Sequence, residues 1–171
     1  MTHAFWITSR AAGVVALLAS SGAVTAGLLI SGRFVRRSID LRATHEALAL
    51  ATLIALGVHA FALLGDGFLS PSLPAITVPF ASSYQRWWMA AGITGAWMMV
   101  ILGLSYYARA RIGVRRWRLL HRFTALAWLL GLVHALGQGT DADAPWLLLS
   151  IAAVALPALG LLTLRLTPRA A

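Results

Sequence analysis

Four histidines lie inside the apolar stretches of this chain, His45 and His59 on one and His121 and His134 on another. An ionisable side chain at membrane depth costs at least ~2.5 kcal/mol, so it is rare there and marks function. Neutral imidazole is also the side chain most often used to hold a metal. Fourteen residues separate the first pair and thirteen the second, a pattern that predicts two metal centres stacked across a membrane. A lone histidine in such a helix would only hydrogen-bond a neighbouring helix, but two pairs matched in depth ask for more. His3 stands apart near the N-terminus and is expected to be exposed.

The composition demands a membrane around these residues. The 171 residues are 60% hydrophobic and 11% charged, with a mean hydropathy of +0.80, whereas a soluble domain is about a quarter charged. There is no cysteine, which excludes disulfides, cysteine-held iron–sulfur clusters and the C-x-x-C-H attachment of c-type haem. The net charge of +9 would suit nucleic acid, but every basic residue is an arginine and almost all lie between the hydrophobic segments. Topology explains them better.

A membrane-crossing helix needs about 20 mostly apolar residues, and five spans approach this, at about 11–30, 45–64, 87–107, 119–136 and 145–164. The chain therefore reads as one all-α transmembrane domain over residues 1–171, a bundle of five helices. Val24-Thr25-Ala26 resembles a signal-peptidase site, but Arg33, Arg36 and Arg37 follow the apolar run instead of preceding it, so the first helix is expected to be retained. Arginine-rich loops stay in the cytoplasm. With the N-terminus outside, segments 31–44, 109–118 and the C-terminal tail are cytoplasmic and hold Arg33, Arg36, Arg37, Arg42, Arg109, Arg111, Arg115, Arg116, Arg118, Arg165 and Arg169. Arg122 lies just inside the fourth span, and only Arg10 and Arg86 fall outside. Asp66, Asp141 and Asp143 fall on outer loops, though acids count little in this rule.

In this topology spans two and four run parallel, so His45 faces His121 at the inner end and His59 faces His134 nearer the outer face. A rise of 1.5 Å per residue sets the members of each span ~20 Å apart along the axis. Facing helices across a bundle interior are where cofactor sites are built, and two bis-histidine haems fit the layout. A zinc site would want four ligands at one point. The angular fit is uneven. Fourteen residues return His59 to within ~40° of His45, but thirteen leave His134 ~140° from His121 on an ideal helix. Span four is therefore expected to be wound irregularly between them, around Gly131, by a tightened turn or a π-bulge.

The stretches "THEALALATLIALGVHAFALLGD" and "WRLLHRFTALAWLLGLVHALGQGTD" carry this spacing and resemble the ferric reductase-like transmembrane domain family. The family takes in the membrane parts of ferric reductases and NADPH oxidases and the bacterial MsrQ/YedZ haem subunits. The likeness covers roughly residues 40 to 141, and "VPFASSYQRWW" is similar to small actinobacterial members. It implies that His45, His59, His121 and His134 are the axial ligands of two b-type haems in a bacterial cytoplasmic membrane. The larger relatives carry a cytoplasmic flavin and nicotinamide module. No G-x-G-x-x-G or comparable loop is present on the inner side of this chain. Electrons are thus expected from a separate cytoplasmic flavin reductase or from membrane quinol.

Histidine on both faces leaves haem iron no open position, which favours outer-sphere electron transfer. Arg42, Arg118 and Arg122 are placed to pair with inner-haem propionates, since guanidinium matches carboxylate geometry. Their other reading is the positive-inside bias alone. Arg86, Gln138 and Thr140 are weaker candidates at the outer haem. Gly57, Gly92, Gly95, Gly103 and Gly131 are expected mainly to let helices approach, and Trp87, Trp88, Trp117 and Trp146 to anchor span ends at the interface. The 66–85 loop, with Pro71, Pro74 and Pro79, is expected to lie on the bilayer surface over the outer haem. Three functions suit these features: an electron-transfer subunit serving an extracytoplasmic reductase or flavoprotein, a self-sufficient ferric-chelate or superoxide-reacting reductase, and a haem carrier without electron transfer.

Overall fold

In a computed structural model that describes residues 3–32, 39–67, 69–138 and 143–167, every regular element is a helix. They are α1 (His3–Gly32), α2 (Ile39–Leu64), α3 (Leu73–Thr77), α4 (Arg86–Leu104), α5 (Arg109–Ile112), α6 (Val114–His121), α7 (Thr124–Gln138) and α8 (Pro145–Leu166). Five helical stretches are long and apolar enough to cross a membrane, with α6 and α7 counting together as one of 25 residues. The first begins at His3 and the fourth at Val114, so both start earlier than the hydropathy limits suggested, because polar residues are tolerated in the terminal turns. The third ends sooner, at Leu104, where successive i→i−3 bonds from Tyr106 to Gly103, Tyr107 to Leu104 and Ala108 to Ser105 tighten the chain into turns.

α1 is the central helix and the most buried of the five. It packs on α2, α7 and α8, while α4 packs on α7. Several of its hydroxyls are satisfied on its own backbone, as apolar surroundings favour. Ser20 and Ser21 donate to the Leu17 carbonyl at 3.0 and 2.7 Å, and Thr25 donates to the Ser21 carbonyl at 2.9 Å. The core gathers Leu17 with Trp128 and Leu132 of α7 and Leu147, Ile151, Ala155 and Ala158 of α8. Trp128, only 1% exposed, donates its indole N–H to Ser21 Oγ at 2.9 Å and so ties α7 to α1. Arg165 of α8 donates to Ser31 Oγ and closes the other end of α1.

The histidine-bearing side is built differently. α2 and α7 are not packed on one another; α1 and α4 join them from either side. Gly95 brings α4 onto α7, since a Cβ there would meet the Ala127 carbonyl at 2.9 Å. Span four is irregular, but at Arg122–Phe123 and not at Gly131, which lies inside an unbroken α7. The amides of Arg122, Phe123 and Ala125 bond three residues back, to Leu119, Leu120 and Arg122. Each such step turns the chain by ~120° in place of ~100°, which closes part of the thirteen-residue offset. The 66–85 loop is also placed otherwise than expected. Its α3 packs on the flank of α4, where the Thr77 carbonyl accepts from Trp97 Nε1 at 2.7 Å, eleven residues into that helix.

Candidate functional site

The four histidines come from two helix pairs. His45 and His59 project from α2 onto α1, and His134 projects from α7 onto α4. His121 ends α6 and lies beside His45, with ring centroids 6.2 Å apart and planes at 82°. Two imidazoles that ligate one metal from opposite sides, with bonds of ~2 Å, hold their ring centres ~6 Å apart. The spacing fits. His59 and His134, the expected second couple, lie near enough for a charge on one to act on the other. His3 is exposed and joins neither.

Three of the rings are held in one way. His45 Nδ1 donates to the Ala23 carbonyl at 2.8 Å, His59 Nδ1 to the Ser9 carbonyl at 2.7 Å, and His134 Nδ1 to the Trp88 carbonyl at 3.0 Å. A carbonyl only accepts, so hydrogen-bond chemistry assigns the proton to Nδ1 and leaves the Nε2 lone pair of a neutral ring free. Among the described residues no Nε2 of the four makes a hydrogen bond. This is the state in which metal-binding histidines are held, with the second ring nitrogen fixed to a backbone oxygen. Ser9 adds a clamp at His59. It is 3% exposed, its Oγ donates to the His59 carbonyl at 3.0 Å, and the same Oγ lies 3.1 Å from Nδ1.

Each accepting carbonyl stands four residues before a glycine: Ser9 before Gly13, Ala23 before Gly27 and Trp88 before Gly92. In an α-helix the glycine N–H already bonds that carbonyl, which keeps a second lone pair for the histidine. A Cβ at the glycine would tilt toward the same turn and obstruct the ring. It would meet His59 Nδ1 at 3.1 Å from Gly13, His45 Cε1 at 3.2 Å from Gly27, and His134 Nδ1 at 2.5 Å from Gly92. Gly92 therefore does more than bring helices together, while Gly95 fits the packing role. Gly103 faces Leu53 at 3.5 Å, and Gly57 and Gly131 face open space. Gly13 and Gly27 were not singled out from the sequence. Their signal was present, because they are fourteen residues apart, the interval of His45 and His59 on the antiparallel neighbour.

Several of the polar candidates are close to the histidines in sequence. Arg42 and Arg118 each precede their histidine by three residues and so share its helix face. With Arg122 they are exposed, and their guanidinium groups make no hydrogen bond or ion pair with a described residue. Gln138, one turn beyond His134, has a buried Nε2 without a hydrogen-bond partner. Arg86 lies over the Phe80 ring at 6.0 Å. Thr140, and with it Arg33, Arg36, Arg37, Asp141 and Arg169, lies outside the described residues. Trp87 and Trp146 are exposed, as interfacial anchors would be, but Trp117 is stacked on His121.

Among the described residues no group of three or more His, Asp or Glu comes together as it would around a bare ion. A histidine couple offers two nitrogens, so a metal held by one would need its remaining donors from elsewhere. No known protein family, curated protein or solved structure matches the chain.

Proposed function

We propose that this protein is a transmembrane electron-transfer subunit with two b-type haems, one on His45 and His121 and the other on His59 and His134. The observation that carries the reading is the repeated seat. Three histidines from two helices donate Nδ1 to a carbonyl above a glycine and present a bare Nε2. Two nitrogens per site suit a metal whose four equatorial donors belong to a macrocycle, which agrees with the resemblance to the ferric reductase-like family. Bound haem supplies a one-electron ferric–ferrous couple.

The chain's own residues do the rest. The four imidazoles would hold the two haems by histidine alone, which would favour electron transfer over reaction with oxygen or a chelate. Gly13, Gly27 and Gly92 let the rings lie against backbone, and the carbonyls fix their tautomer. Arg42, Arg118 and Arg122 would hold inner-haem propionates as charge-assisted pairs, and the partnerless Gln138 amide would donate to an outer one. The arginine distribution argues for the N-terminus outside, and the family resemblance for a bacterial cytoplasmic membrane. Electrons would come from a cytoplasmic flavin reductase or from quinol and pass to an extracytoplasmic reductase or flavoprotein.

The test uses haem-loaded protein in sealed lipid vesicles, with a reductant trapped inside and ferricyanide outside. The reading expects external ferricyanide to be reduced well above the rate of protein-free vesicles. Equal rates would leave a haem carrier and sink the electron-transfer role.

A further inference from the structure

The seats on α1 recur at a fixed interval, Ser9/Gly13 and Ala23/Gly27 being fourteen residues apart. The same interval from Trp88/Gly92 on α4 falls on Leu102 and Tyr106. A fourth seat is therefore due there, opposite His121, and it is not formed. Tyr106 carries the side chain that a seat excludes, and α4 has already ended at Leu104. The Ser105 hydroxyl takes the Leu102 carbonyl at 2.6 Å, and the Tyr106 N–H turns to the Gly103 carbonyl at 3.2 Å. His121 is left with Nδ1 buried and without a hydrogen-bond partner; the Leu102 carbonyl acts on it only at longer range.

Something else holds the ring. Trp117, one helical turn earlier on α6, lies nearly parallel to it at 28°, with centroids 5.0 Å apart. The indole is itself fixed: Nε1 donates to Ser105 Oγ at 3.2 Å, and Tyr106 meets its ring at 5.9 Å in an edge contact. The serine that takes the missing seat's carbonyl is thus the group that tethers the tryptophan.

We infer that Trp117, tethered by Ser105, is the positioning residue of His121, orienting by stacking the one ligand whose Nδ1 makes no hydrogen bond of normal length to a backbone carbonyl. The inference rests on the two-haem reading above. Stacking fixes the plane of a ring but accepts no proton from Nδ1, so His121 is the least strongly donating of the four ligands. The inner site is accordingly the one in which a side chain stands in for a seat's carbonyl.

The experiment compares Trp117→Leu, which removes the stack, with Trp117→Phe, which keeps a ring but loses the tether. Purified, haem-loaded full-length protein is read by haem per chain, by competition for haem with apomyoglobin, and by low-temperature EPR of the two low-spin signals. Trp117→Leu should weaken one haem site ~10- to 100-fold, the range found when a ligand's supporting contact is lost. The signal that moves should be the one that His121→Ala abolishes, while the other signal stays and shows that the bundle is folded. Trp117→Phe should stay closer to wild type. An unchanged inner signal in Trp117→Leu, equal loss of both haems, or equal damage in the two variants would overturn the inference. Wild-type protein that takes up no haem would overturn the two-haem reading itself, which is a different result from two haems indifferent to Trp117.

Discussion

Each of the three formed seats depends on an atom that is not there, the Cβ of Gly13, Gly27 or Gly92. Gly92 makes the sharpest test, because a methyl group would stand 2.5 Å from His134 Nδ1, and the ring must move off the Trp88 carbonyl to admit it. Gly92→Ala should weaken retention of the outer haem ~10- to 100-fold and leave the inner one in place, as read by haem per chain and by EPR. The histidines were legible in the sequence because a titratable residue in an apolar run is conspicuous. Their seats were not. A carbonyl acceptor has no residue type, which is why Ser9, Ala23 and Trp88 give no sign of their role, and a glycine in a membrane helix usually only lets another helix approach. The interval shared by Gly13–Gly27 and His45–His59 was the one available signal, and it needs the antiparallel pairing of α1 and α2 to be read.

At the scale of elements the bundle repeats a scheme that the sequence shows only in part. A seat helix precedes a histidine helix twice, α1 before α2 and α4 before α6 and α7. The thirteen-residue interval from His121 to His134 rightly predicted an irregular fourth span. Its position was not legible, because the turn at Arg122–Phe123 is set by i→i−3 bonding after a very basic stretch and not by the permissive Gly131. The regular part of α7 then fixes the angle of His134. One alanine inserted after Leu129 would turn His134 by ~100° and move it ~1.5 Å along the axis. The expected protein holds one haem, the inner, because His121 and Trp117 precede the insertion. Retention of both would show that α7 does not set this angle.

At the scale of the molecule the five spans were legible from hydropathy to within a turn or two at most ends, since length and apolar content are properties of sequence alone. The centrality of α1 was not, for it rests on tertiary contacts such as that of Trp128 with Ser21. The proposed membrane orientation rests on the arginine distribution, and a reporter checks it. Alkaline phosphatase fused at the C-terminus should be inactive in bacteria and a fluorescent protein fused there should be bright; the reverse would invert the inner and outer assignment. The central claim is the pairing of four histidines into two haem sites, and one series tests it most directly. Haem per chain and the reduced-minus-oxidised spectrum are measured on the wild type and on His45→Ala, His59→Ala, His121→Ala and His134→Ala. The account predicts two b-type haems in the wild type and one in each variant, with His45→Ala and His121→Ala losing the same haem and His59→Ala and His134→Ala the other. Full haem content in any of the four variants, or a wild type without haem, would contradict it.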